Sequence, residues 1–209
     1  MKKIICAVLM LWGQGIYAQQ PVKIACVGNS ITEGPGRNHP DSYPLQLQKM
    51  LGQGYQVKNF GVSARTLLKK GDFPYWNEPQ FEQVKDFKPD ILVIKLGTND
   101  SKPQNWVHKD EFLDDYVEMI RIFKGHMPDE GKVFVCLPAP VFEDNWGITE
   151  QLIVEEMNPL IREVARITGA EIIDLHGSLE PYAPLFPDGV HPDKEGAKML
   201  ARTVVNSIQ

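Results

Sequence analysis

The sequence predicts a single α/β domain in three layers, a five-stranded parallel sheet with helices on both faces. Three observations lead there. Short apolar runs that suit buried parallel strands alternate with stretches whose apolar residues recur at helical spacing. The chain has 209 residues, a length that fits one domain with a substantial core. No composition break, internal repeat or low-complexity linker divides it.

The first strand is Val22 to Val27, an apolar run closed by Gly28. Tyr43, Leu47, Met50 and Leu51 then form a helical stripe that ends at Gly52. Tyr55 to Phe60 is the second strand, and Phe81 and Val84 mark one face of a helix from Pro79 to Phe87. Pro89-Asp90 punctuates the chain before the third strand, Ile91 to Leu96. Phe112, Tyr116, Met119, Ile120 and Phe123 give the clearest helix, and Lys132 to Leu137 the fourth strand. Ile153, Met157, Leu160, Ile161 and Val164 mark a further helix, in which Pro159 either makes a kink or starts a second segment. Glu171 to Leu175 is the fifth strand. Ala197, Leu200, Ala201, Val204, Val205 and Ile208 stripe a last helix that Asp193 is placed to cap.

Residues 1–18 are expected to lie outside this domain, which then spans 19–209. Lys2 and Lys3, the apolar run Ile4 to Trp12 and the ending Ile16-Tyr17-Ala18 have the layout of a secretory signal peptide. The run is too short to span a bilayer, so the expectation is a secreted or periplasmic protein with no membrane insertion after cleavage. With 22 Lys plus Arg against 27 Asp plus Glu, the net charge of −5 offers no basic excess for nucleic acid or an anionic membrane. No His-Glu-x-x-His, paired-cysteine, Walker or Gly-x-Gly-x-x-Gly pattern is present, so neither metal nor nucleotide cofactor is expected.

In open parallel sheets, ligands sit beyond the C-terminal strand ends. Four polar segments collect there or near the last helix: Gly28-Asn29-Ser30-Ile31-Thr32, Asn59-Phe60-Gly61-Val62-Ser63, Gly97-Thr98-Asn99-Asp100 and Asp188-Gly189-Val190-His191-Pro192. A serine hydroxyl needs a base to become a nucleophile, and His191 is the candidate base. Asp188, three residues earlier, is placed to hold the other ring nitrogen. Each segment alone reads as a turn or cap; their joint occurrence in one chain is what carries weight.

Together the four blocks resemble the SGNH (GDSL) hydrolase family, a family of esterases and acylhydrolases. The resemblance runs from Gly28 to Pro192 and departs at residue 29, where Asn replaces the usual Asp. It implies a flavodoxin-like sheet of order 2-1-3-4-5 and a catalytic Ser30–His191–Asp188 set. It also implies an oxyanion hole from the N–H groups of Ser30 and Gly61 and the Asn99 amide. In that order, strand three separates Cys26 from Cys136 by roughly 10 Å, beyond the ~7 Å that a disulfide tolerates, so two buried free thiols are expected.

The loops at the same edge carry Arg37, Asn38, Asp41, Arg65, Lys102, Trp106, Trp146 and Phe186. Polar groups mixed with exposed tryptophans suit a sugar, and Asn29, Arg65, Trp106 and Trp146 are the candidate substrate contacts. With export and the family resemblance, this favours a small acylated substrate, an O-acetylated sugar or polysaccharide. Two alternatives stay open: a lysophospholipase or thioesterase of the same family, and a catalytically inactive carbohydrate-binding module.

Overall fold

The computed structural model describes residues 20–209. The segment assigned to a signal peptide lies outside them. Five parallel strands form one sheet in the order β2-β1-β3-β4-β5, with β1 at Val22–Gly28, β2 at Tyr55–Gly61, β3 at Ile91–Lys95, β4 at Lys132–Leu137 and β5 at Glu171–Asp174. This is the expected three-layer architecture. β3, in the middle, is buried along its whole length, as a strand covered on both faces must be.

The helices follow in chain order: α1 (Ser30–Glu33), α2 (Tyr43–Leu51), α3 (Pro79–Phe87), α4 (Pro103–Trp106), α5 (Phe112–Lys124), α6 (Glu150–Leu152), α7 (Asn158–Thr168), α8 (Leu175–Leu179) and α9 (Lys194–Ile208). A π-helical stretch, Ile153–Met157, joins α6 to α7. Pro159, in the first turn of α7, cannot donate to the ladder, and the register changes just before it. Asp193 caps α9, its Oδ1 accepting from the Gly196 N–H at 2.9 Å.

β1 and β2 run one residue further than the sequence expects, to Gly28 and Gly61, and two strands end one residue earlier. Leu96 lies beyond β3, and Leu175 opens α8 instead of extending β5. The change at Leu175 has a local cause: Asp174 Oδ1 accepts from the Gly177 N–H at 2.8 Å, which turns the chain into a helix at that point. Cys26 and Cys136 are free and buried, on β1 and β4, with β3 between them. Burial pushes both thiols up to about 12. Among the described residues no helix is long and apolar enough to cross a membrane.

Candidate active site

The Ser30 hydroxyl stands where β1 gives way to α1. Asn29 makes that change of direction: its Oδ1 accepts from the Ile31 N–H at 3.1 Å, capping α1, while its side chain is fully buried. Asn29, expected from the sequence to contact substrate, is instead buried: its Oδ1 starts the helix, and its Nδ2 has no hydrogen-bond partner among the described residues. Asn supplies the same acceptor that an Asp would here, so the cap survives the replacement. Ser30 is the first helical residue, and its own N–H has no intrahelical partner.

His191 and Asp188 arrive from the loop before α9. Ser30 Oγ is 2.8 Å from His191 Nε2, and His191 Nδ1 is 2.9 Å from Asp188 Oδ2. Asp188 Oδ1 also accepts from the N–H groups of Val190, at 2.9 Å, and His191, at 2.6 Å. Partial burial of Asp188 opposes its ionisation, but these two backbone bonds and the imidazole outweigh it and hold the carboxyl below its ordinary value. Its loop is braced by the 138–149 segment: Phe142 N–H donates to Gly189 O at 2.8 Å, and Asn145 Nδ2 to Asp188 O at 3.2 Å. That segment also presents Trp146, 53% exposed, with its ring edge-on to His191 at 5.3 Å.

A cavity of about 270 Å³ opens beside Ser30 and His191, walled by Ala64, Asn99, Trp146, Ile148 and Val190 among others. Asn99 follows the C-terminal end of β3. One amide hydrogen goes to Arg65 O at 3.2 Å, leaving the other for the cavity.

Gly61 is not on this wall. Its N–H donates to Asn59 Oδ1 at 2.9 Å, so it has no hydrogen bond to offer an oxyanion. The glycine serves packing instead: a Cβ there would overlap the Glu33 backbone nitrogen and come within 2.7 Å of the Thr32 carbonyl carbon. Gly61→Ala is accordingly expected to destabilise the fold by about 1–3 kcal/mol, read as a lower urea midpoint at unchanged slope. The cavity-lining residue of this loop with an uncommitted N–H is Ala64. Its φ of 67° is left-handed, and among the described residues its N–H has no acceptor.

Glu33 ties this loop to the nucleophile's own helix. Its Oε2 accepts from the Ser63 N–H at 2.8 Å and from Ser63 Oγ at 2.5 Å, and its Oε1 accepts from Arg37 at 3.0 Å. On the other side, Asp100 accepts from the N–H groups of Leu67 and Leu68 at 3.0 and 2.7 Å. Burial of that carboxyl outweighs these hydrogen bonds and pushes it up to about 7. The loop is thus pinned before and after Ala64. Neither Ala64 nor Glu33 carried a signal in the sequence, since an alanine in a left-handed turn and a carboxylate in a helix look ordinary.

Two other expected substrate contacts lie away from the cavity wall, and the expected exposure of Trp106 is corrected. Trp106 is only 6% exposed; its indole N–H donates to Glu156 Oε2 at 2.9 Å and its ring packs on Phe112. Arg65 pairs with Glu78 at 2.7 Å, donates to Ser63 O at 2.9 Å and lies over the Phe73 ring; it does not wall the cavity beside Ser30, where its carbonyl holds Asn99. Phe186 is buried against Phe142. His176 bonds Glu150, whose other oxygen accepts from the Val141 N–H, and so anchors the start of the Trp146 segment. Among the described residues no group of three His, Cys, Asp or Glu side chains is placed to hold a metal ion.

The model of the GDSL-like lipase/acylhydrolase family matches residues 26–199, from the buried core of β1 to the middle of α9. The chain belongs to that family. An acetylxylan esterase of Xylanibacter ruminicola is 42% identical over 210 residues, covering 91% of this chain and 44% of that protein. The chain thus spans less than half the length of that relative. A multidomain esterase of Ruminococcus flavefaciens is 26% identical over 131 residues, covering 61% of this chain and 16% of its own. The fold is shared with an acetyl xylan esterase at a TM-score of 0.70 and 20% identity, covering 90% of this chain and all of that one. A carbohydrate acetylesterase from Sinorhizobium meliloti superposes at 0.69 with 19% identity, over 90% of this chain and 98% of its own.

Proposed function

We propose that this GDSL-like chain is an exported carboxylic ester hydrolase that removes short acyl groups, acetyl foremost, from carbohydrate through an acyl-Ser30 intermediate. The observation that carries the reading is the 2.8 Å Ser30–His191 contact at the mouth of a small cavity walled by Asn99 and Trp146. A carboxylate behind the imidazole and a free amide hydrogen in front of the hydroxyl are what acyl transfer requires. The names of the relatives support the acetylated-carbohydrate part. The basic residues and apolar run before residue 19 support export.

In this mechanism the Ser30 hydroxyl proton passes to His191 Nε2 as Oγ bonds the ester carbonyl carbon. Asp188 keeps Nδ1 protonated and stabilises the imidazolium. The oxyanion is met by the N–H groups of Ser30 and Ala64 and by the Asn99 amide. As the tetrahedral centre collapses, the bond to the sugar oxygen breaks and that oxygen takes the proton from His191. Water repeats the sequence on the acyl-enzyme, giving its proton to His191 and releasing the acid with Ser30 restored.

The acetylesterase names of the relatives favour a short acyl group over a fatty chain. Initial rates on 4-nitrophenyl acetate, butyrate, octanoate and laurate, with acetate release from acetylated xylan, test this. Acetyl is expected to lead the series and the polymer to lose acetate. A preference for octanoate or laurate would instead favour the lysophospholipase or thioesterase reading.

A further inference from the structure

The Ser30–His191 pair lies between two cavities. Opposite the Asn99 side, a second one of about 290 Å³ is lined by Ser30 and His191 together with Tyr43, Ala197, Asp41 and Lys194. Lys194 Nζ stands 3.4 Å from Asp41 Oδ1. Lys194 also lines a third space, a groove of about 590 Å³ between α2 and α9. Ser30 and His191 are thus shared by the first and second spaces and Lys194 by the second and third, where Gln46 Nε2 donates to the Asp41 and Lys194 carbonyls, both at 3.0 Å, and ties α2 to the start of α9.

The charge of the third space is unlike that of the chain. The whole sequence has a net charge of −5, yet this groove is lined by Lys49, Lys194, Lys198 and Arg202 against the single carboxylate of Glu195. Glu195 is occupied by Lys198 at 3.1 Å. Lys49 and Arg202 have no ion-pair partner among the described residues. Between the cations lie Met50, 39% exposed, and Val205, an apolar floor suited to the C–H face of a sugar ring.

Ester geometry assigns the direction. With the carbonyl oxygen toward Asn99 and Ala64 and the acyl group in the cavity under Trp146, the alcohol must leave the carbonyl carbon toward the second cavity. We infer that this alcohol is part of an acidic, uronate-bearing carbohydrate chain. It runs past the Asp41–Lys194 pair into the α2/α9 groove, where Lys49, Lys198 and Arg202 meet its carboxylates. This rests on the carbohydrate-esterase reading given above and adds the charge of the polymer and its path.

The test compares the full chain with a K49E/R202E variant; both side chains are exposed, and neither touches the Ser30 site. Substrates are acetylated xylo-oligosaccharides separated by anion exchange into neutral and uronate-bearing fractions, with 4-nitrophenyl acetate as the small ester. The unaltered chain is expected to show a KM about 3- to 10-fold lower for the uronate-bearing fraction, a gap that added salt closes. The variant should lose that gap while its kinetics on 4-nitrophenyl acetate stay the same. Equal KM values for the two fractions in the unaltered chain, or an equal rise for both in the variant, would overturn the inference. Hydrolysis of 4-nitrophenyl acetate with no acetate from either fraction would overturn the carbohydrate reading and this inference with it.

Discussion

Ser30→Ala is expected to lower kcat on 4-nitrophenyl acetate by about 10⁶-fold, with KM little changed. Among the described residues that line this cavity, Ser30 alone places its hydroxyl on an imidazole; Ser63 lines the same cavity, but its Oγ and N–H are both tied to Glu33 Oε2. His191→Ala should cost about as much, and the double variant hardly more, because nucleophile and base act as one unit. The control is the urea midpoint. Ser30 is only partly buried, and Asn29 caps α1 through its own side chain, so the serine variant should fold normally. Intact mass spectrometry of the unaltered chain, quenched during turnover, should show one acetyl group that is absent from the variant. Retention of a tenth or more of the activity would place the nucleophile elsewhere and remove the mechanism, whereas an unaltered chain inert on every ester of the series would favour the inactive binding module.

The sheet was legible because buried strands and helix stripes are written in apolar pattern alone, and β1 to β4 begin where that pattern begins. The pattern carries no information about side-chain hydrogen bonds, and there the readings diverge. Leu175 is as apolar as a strand residue, but the Asp174 carboxylate bends the chain into α8. At the site, Ser30, Asn99, Asp188 and His191 stood out because their types suit acyl transfer and they fall at strand ends or before the last helix. Gly61 stood out for a sound reason applied to the wrong neighbour. A close approach does need glycine there, but what approaches is the Glu33 backbone, with Asn59 taking the N–H. Ala64 was hidden because its left-handed φ is imposed from outside, by Glu33 on Ser63 and Asp100 on Leu67 and Leu68. Trp106 looked exposed because the inward face of a four-residue helix is decided by Phe112 and Glu156, both distant from any local pattern.

Asn99→Ala is expected to lower kcat by about 10²- to 10³-fold, equivalent to about 2.7–4 kcal/mol, with a much smaller change in KM. The size follows from where the amide sits. Asn99 is only 6% exposed, in a cavity shared with Ser30 and His191, so its free hydrogen meets little competing water. Its other hydrogen, on Arg65 O at 3.2 Å, fixes the amide plane before substrate arrives, so little reorganisation is left for the reaction itself. A ground-state carbonyl accepts weakly and an oxyanion strongly, so the loss falls on kcat. Asn99→Asp separates this from mere cavity formation. It keeps the volume but replaces the donor with an acceptor that carries like charge toward the oxyanion, so it should be slower than the alanine variant. Should Asn99→Asp match the unaltered chain, the side chain would not touch the oxyanion. The N–H groups of Ser30 and Ala64 would then have to carry its charge alone.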